Sequence, residues 1–143
     1  MTTLPIEASY RYLVVDDSSF SRLVMQISVE KGAEQAESPC VCDCAASGPE
    51  AVELCKQHEY DLIIMDYNMP EMTGGVAARK ILALDPHAHI VGYTATTELE
   101  ELADCFLSGM VEVLPKDPRR ISQVVKSQMT EHASALSRKN SLD

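Results

Sequence analysis

Basic residues are scarce in this sequence. Lys and Arg number 12 against 22 Asp and Glu, a net charge of −10. Phosphate backbones are bound by clustered Lys and Arg, so no nucleic-acid surface is expected. Long apolar runs are also missing: none approaches the ~20 residues that cross a bilayer, and the opening MTTLPIEASYRY lacks the apolar stretch of a signal peptide. The expectation is a cytoplasmic protein with no membrane contact. An export signal is lacking and the five cysteines, at 40, 42, 44, 55 and 105, are an odd number, so no disulfide framework is expected. Cys40 and Cys44 fall on an alternating, strand-like segment, where roughly 13 Å would separate their Cα atoms, too far to share one tetrahedral ion. They read as small apolar side chains buried on one face of a strand. His58, His87, His89 and His132 have neither HExxH nor Cys-paired spacing, and they read as solvated loop or helix residues. No repeat or low-complexity segment is visible.

What is present suits one globular domain. The chain has 143 residues, 45% of them hydrophobic and 24% charged, and a chain of this size buries roughly two-thirds of its unfolded surface without staples. Short apolar runs alternate with helical patterns. Tyr12-Leu13-Val14-Val15, residues 40–45, Leu62-Ile63-Ile64-Met65, Ile90-Val91-Gly92-Tyr93 and Val111-Glu112-Val113-Leu114 read as strands. Between them, Ser18 can cap a helix with apolar positions Phe20, Leu23, Val24 and Ile27 and with Gly32 as its stop signal. Further helices are predicted over 48–58 (Ala51, Val52, Leu54, Cys55), 76–84, 97–108 (Leu99, Leu102, Ala103, Phe106, closed by Gly109) and about 119–135 (Ile121, Val124, Val125, Met129). Residues 136–143 read as frayed. The expected division is an N-terminal extension over 1–10, one domain over 11–134 and a C-terminal tail over 135–143.

Five β–α units with fully apolar strands imply a doubly wound parallel sheet with helices on both faces, in the flavodoxin-like order 2-1-3-4-5. Ligands of such sheets bind outside the carboxyl ends of the strands, where the order reverses. Asp16 and Asp17 end the first strand and Asp66 ends the third, its neighbour. Three converging carboxylates raise one another's pKa unless a cation neutralises them, and hard oxygen ligands suit Mg²⁺. Thr94 ends the fourth strand and Lys116 follows the fifth. Carboxylate nucleophile, metal, ammonium and hydroxyl are the parts that phosphoryl transfer uses.

The segments Val14-Val15-Asp16-Asp17-Ser18-Ser19-Phe20-Ser21-Arg22, Asp66-Tyr67-Asn68-Met69-Pro70-Glu71-Met72-Thr73-Gly74, Tyr93-Thr94-Ala95 and Leu114-Pro115-Lys116 resemble the receiver domains of two-component response regulators. The likeness runs from about residue 11 to residue 134. It implies that Asp66 is the phosphoacceptor for a phosphohistidine donor. Asp17, Asp66 and the backbone carbonyl of Asn68 would hold Mg²⁺ directly, with Asp16 acting through a metal-bound water. Lys116 would pair with Asp66 and then with a phosphoryl oxygen, and Thr94 would move to hydrogen-bond the phosphoryl group. Implied partners are a histidine kinase or histidine phosphotransfer protein, together with a downstream protein at the face of the fourth helix and fifth strand.

Two positions depart from the family pattern. Val113 stands where an aromatic residue is usual, and Asp117 rather than proline follows Lys116. Few residues follow the last helix, so a stand-alone receiver, monomeric or weakly dimeric, is expected rather than a carrier of a DNA-binding effector. It would be no enzyme beyond its own phosphoryl transfer and aspartyl-phosphate hydrolysis. An alternative is a degenerate receiver that docks or dimerises independently of phosphorylation. An aspartyl-phosphate hydrolase of small phosphoesters would carry a second acid two residues after the nucleophile, where this chain has Asn68.

Overall fold

A computed structural model describes residues 10–141. Residues 1–9 of the expected extension and the last two of the tail lie outside the described residues. The strands are β1 (Tyr10–Val15), β2 (Cys40–Ala45), β3 (Leu62–Met65), β4 (Ile90–Tyr93) and β5 (Glu112–Leu114). They alternate with α1 (Ser19–Gln35), α2 (Gly48–Gln57), α3 (Gly74–Leu84), α4 (Leu99–Leu107) and α5 (Pro118–Ser141). All strand pairs are parallel and the order is β2-β1-β3-β4-β5, the doubly wound arrangement that the sequence predicts.

Successive strand residues point to opposite faces, and two cores result. Leu13, Val15, Ile63 and Met65 pack with Ala51, Ala77, Ala78, Ile81 and Cys105, beneath α2, α3 and α4. Tyr12, Val14, Leu62 and Ile64 pack with Met25, Val29, Ile121, Val125 and Met129, beneath α1 and α5. Both faces of β3 are therefore covered, which is why it reads as an uninterrupted apolar run. Cys40, Cys42 and Cys44 are half-buried at the edge of the second core, less enclosed than the sequence suggests because β2 is an edge strand.

Four helical expectations need correction. Gly32 does not stop α1, which continues to Gln35. A Cβ there would lie 2.6 Å from the Ser122 carbonyl oxygen, so this glycine lets α5 approach. The buried stripe of α1 is Met25, Ser28, Val29, Gly32 and Ala33, whereas Phe20, Leu23 and Ile27 face outward. Likewise α4 buries Cys105, while Leu99 and Phe106 are exposed. Finally, the residues expected to fray extend α5 to Ser141. From Thr130 to Lys139 the helix is exposed but is built from good helix formers such as Ala133, Ala135 and Leu136, with Arg138 and Lys139 in its last turn to complement the carbonyl end.

Candidate phosphoryl-transfer site

Register places the acids. β1 and β3 pair from Tyr12↔Leu62 to Val15↔Met65, so the next residue of each strand, Asp16 and Asp66, leaves the sheet side by side. The Asp66 N–H donates to the Val15 carbonyl at 3.0 Å, and the Asp16 N–H donates to the Ala45 carbonyl at 3.2 Å. At the neighbouring strand ends, the Thr94 N–H donates to the Leu114 carbonyl at 3.1 Å. Asp16, Asp66 and Thr94 are all buried, and Asp17 is exposed at the mouth.

Asp16 gathers donors. Its carboxylate accepts from the Ser18 N–H at 2.9 Å, from the Ser21 hydroxyl at 2.7 Å and from Lys116 Nζ at 2.6 Å. Burial acts to raise its pKa, but these bonds outweigh burial and hold it below the usual carboxylate value. Asp66 has weaker support. Burial, reinforced by the Asp16 charge, pushes it up to about 6 against the opposing pull of Lys116 and of the Tyr67 and Asn68 N–H groups. Lys116 Nζ stands 3.7 Å from Asp66 and only 2.6 Å from Asp16. The family resemblance pairs the lysine with Asp66, yet its closer partner is Asp16. Tyr93 lies under Lys116, its ring centroid 4.9 Å from Nζ, an attractive placement for a cation.

Carboxylate oxygens of Asp16, Asp17 and Asp66 lie within 4.8 Å of one another. Mg²⁺ prefers hard oxygen ligands and is held by one or two carboxylates, its other positions filled by water and phosphate. An all-oxygen, net-anionic set with one member open to solvent fits that ion and leaves room for water and phosphate. Asn68 follows in the same loop, exposed, with its side-chain amide donating to Glu101 at 3.2 Å. Thr94 Oγ1 accepts the Thr96 N–H at 3.2 Å and borders an open groove of about 390 Å³ lined also by Leu102, Val113 and Lys116.

The chain matches the family model of the response regulator receiver domain over residues 12–126. It belongs to that family. Among curated relatives, the chemotaxis protein CheY of Treponema pallidum is 36% identical over 128 residues, covering 86% of this chain and 85% of the relative. CheY of Bacillus subtilis is 33% identical over 109 residues, covering 76% and 86%. Among solved structures, the CheX–CheY–BeF3–Mg²⁺ complex of Borrelia burgdorferi aligns with a TM-score of 0.67 and 30% identity, over 82% of this chain and 87% of that one. A receiver domain of Methanospirillum hungatei aligns at 0.70 with 21% identity, over 88% and 98%, a likeness of fold.

Thus the receiver fold brings Asp16, Asp17, Asp66, Thr94 and Lys116 to one edge, with Asn68 beside them. Several contributors were given no role from the sequence. Ser21 and Arg22 sit one helical turn after the acid pair, and Arg22 donates to the Asp16 carbonyl at 2.7 Å. Helical spacing from the Ser18 cap could have found both. Tyr93 looks like an ordinary strand residue until β4 is placed beside β5. Asp117, the departure after Lys116, has a local job: its carboxylate accepts the Arg119 N–H at 3.0 Å and caps α5. No peptide bond among the described residues is cis. No described helix is long and apolar enough to cross a membrane.

Proposed function

We propose that this receiver accepts a phosphoryl group on Asp66 from a phosphohistidine and signals by contact with another protein. Asp66 Oδ attacks phosphorus, the O–P bond forms, and the P–N bond breaks with its electron pair returning to the imidazole nitrogen. Asp17, Asp66 and the Asn68 carbonyl would hold Mg²⁺, with Asp16 one water removed. When bound, the ion would supply charge neutralisation to the site. Lys116 is within reach of both acids and transfers its ammonium from Asp16 toward a phosphoryl oxygen. Thr94 releases its contact with the Thr96 N–H and donates its hydroxyl to the same group. Water later cleaves the acyl phosphate and returns Asp66 to its free carboxylate. The observation that carries this reading is the convergence of Asp16, Asp17 and Asp66 on Lys116 at the point where the strand order reverses.

Two surfaces support a protein partner at each stage. Phe20, Leu23 and Ile27 make an exposed apolar stripe on the helix that follows the acid pair, suited to a donor histidine kinase or phosphotransfer protein. The exposed Leu99 stands beside Glu98, Glu100 and Glu101 at the start of α4, suited to a downstream target with basic charge. The test is the intact mass of the chain after a small acyl phosphate and Mg²⁺. The wild type gains one phosphoryl group and Asp66→Asn gains none; equal gain by both refutes the assignment.

Val113 favours a second reading, constitutive docking without a switch, because a valine beside the Thr94 groove cannot make the aromatic swing usual at that position. Partner affinity that is unchanged by BeF3 and Mg²⁺ supports this reading, and a tenfold change removes it.

A further inference from the structure

The two residues after Asp66 are tied to α4. The Tyr67 hydroxyl donates to Asp104 Oδ2 at 2.8 Å, and Arg79 of α3 donates to Oδ1 of the same carboxylate at 2.7 Å. One turn earlier on α4, Glu101 accepts the Asn68 side chain. Gly75 makes the space. A Cβ there would overlap Asp104 Oδ2 and stand 3.2 Å from the Tyr67 ring. Tyr67 is itself buried and follows Asp66 directly in the chain, its carbonyl accepting the Gly74 N–H at 2.7 Å, so its ring moves with its backbone.

Resting on the phosphoacceptor reading of Asp66, we propose that Tyr67 and Asp104 are positioning residues that deliver the state of Asp66 to α4. A dianionic group on Asp66 draws the N–H groups of the next two residues, Tyr67 and Asn68, toward its new acceptor oxygens. The Tyr67 ring turns that local change into either a broken bond or a displaced Asp104. α4 is the helix poised to yield. Its only buried residue is Cys105, and its N-cap, Glu98, makes no side-chain capping bond. Elements with few buried contacts occupy the low-stability end of a fold and are the ones that shift. This route runs along the α3 side of α4, away from β5, and it needs no aromatic residue at position 113.

Amide exchange across residues 99–107, measured with and without acyl phosphate and Mg²⁺ and with phosphorylation read by mass on the same samples, tests it. In the wild type, phosphorylation changes α4 exchange by about fivefold or more, the range of ordinary coupling energies. Tyr67→Phe, which removes only the hydroxyl, takes up the phosphoryl group but loses most of that change. Asp104→Ala, altered on the partly exposed α4 surface, behaves alike and guards against misfolding of the buried-ring variant. A purely structural bond would instead alter exchange by the same factor in both states, and that result overturns the proposal. So does a phosphorylated variant with the wild-type response, or a phosphorylated wild type with none. A wild type that gains no mass refutes the phosphoacceptor reading first, and the coupling with it.

Discussion

Asp16 and Asp66 leave neighbouring strands together, yet they titrate in opposite directions. Asp16 is lowered because its hydrogen bonds outweigh burial, and Asp66 is raised to about 6 because its own do not. The two therefore affect stability with opposite sign. With its folded pKa above the usual 3.8, Asp66 favours the folded state below that value, and this contribution is lost as pH rises through about 6. Asp16 contributes above its unfolded pKa and loses that contribution as pH falls through its depressed folded value. Without added metal, Asp66→Asn should raise the denaturant midpoint at neutral pH and flatten its decline between about pH 4 and 6. A variant with an unchanged pH profile would mean that burial does not disfavour the Asp66 charge. The acids, Thr94 and Lys116 were legible in the sequence because each ends or follows a strand. The Tyr67–Asp104 bond was not, since its partners are 37 residues apart and only the packing of α3 against α4 joins them.

Among the elements, strands were easier to read than helix faces, and the reason is physical. Strands covered on both sides must be apolar throughout, as Leu62–Met65 is. A helix packed closely against another can bury small residues instead, so α1 turns Ser28, Gly32 and Ala33 inward and leaves Phe20, Leu23 and Ile27 outside. Both halves of that inversion are testable. Gly32→Ala should destabilise the fold by about 1–3 kcal/mol through overpacking against Ser122 and Val125, although alanine is the better helix former. Thermal or denaturant unfolding measures it. Leu23→Ser should shift stability by less than about 0.5 kcal/mol, as surface changes do. It should nevertheless slow phosphoryl uptake from a donor protein several-fold while leaving uptake from acyl phosphate unchanged. An uptake rate from the donor protein equal to that of the wild type would place the docking surface elsewhere.

Taken whole, the molecule holds net charge −10 and concentrates part of it in one pocket. A cation that binds only the folded chain stabilises it by mass action, about 2.7 kcal/mol at a concentration 100 times its Kd. Mg²⁺ should therefore raise the melting temperature of the wild type above that in NaCl of matched ionic strength, and it should lose this effect in Asp17→Asn. An equal rise with NaCl would reduce the effect to general screening.

Locating the acyl phosphate decides most directly whether these carboxylates form a phosphoaccepting pocket. After exposure to acyl phosphate and Mg²⁺, reductive trapping followed by peptide mapping should find the modified side chain at Asp66 alone. Modification at Asp16 or Asp17, or none at any of the three, would show that the pocket does not work as described.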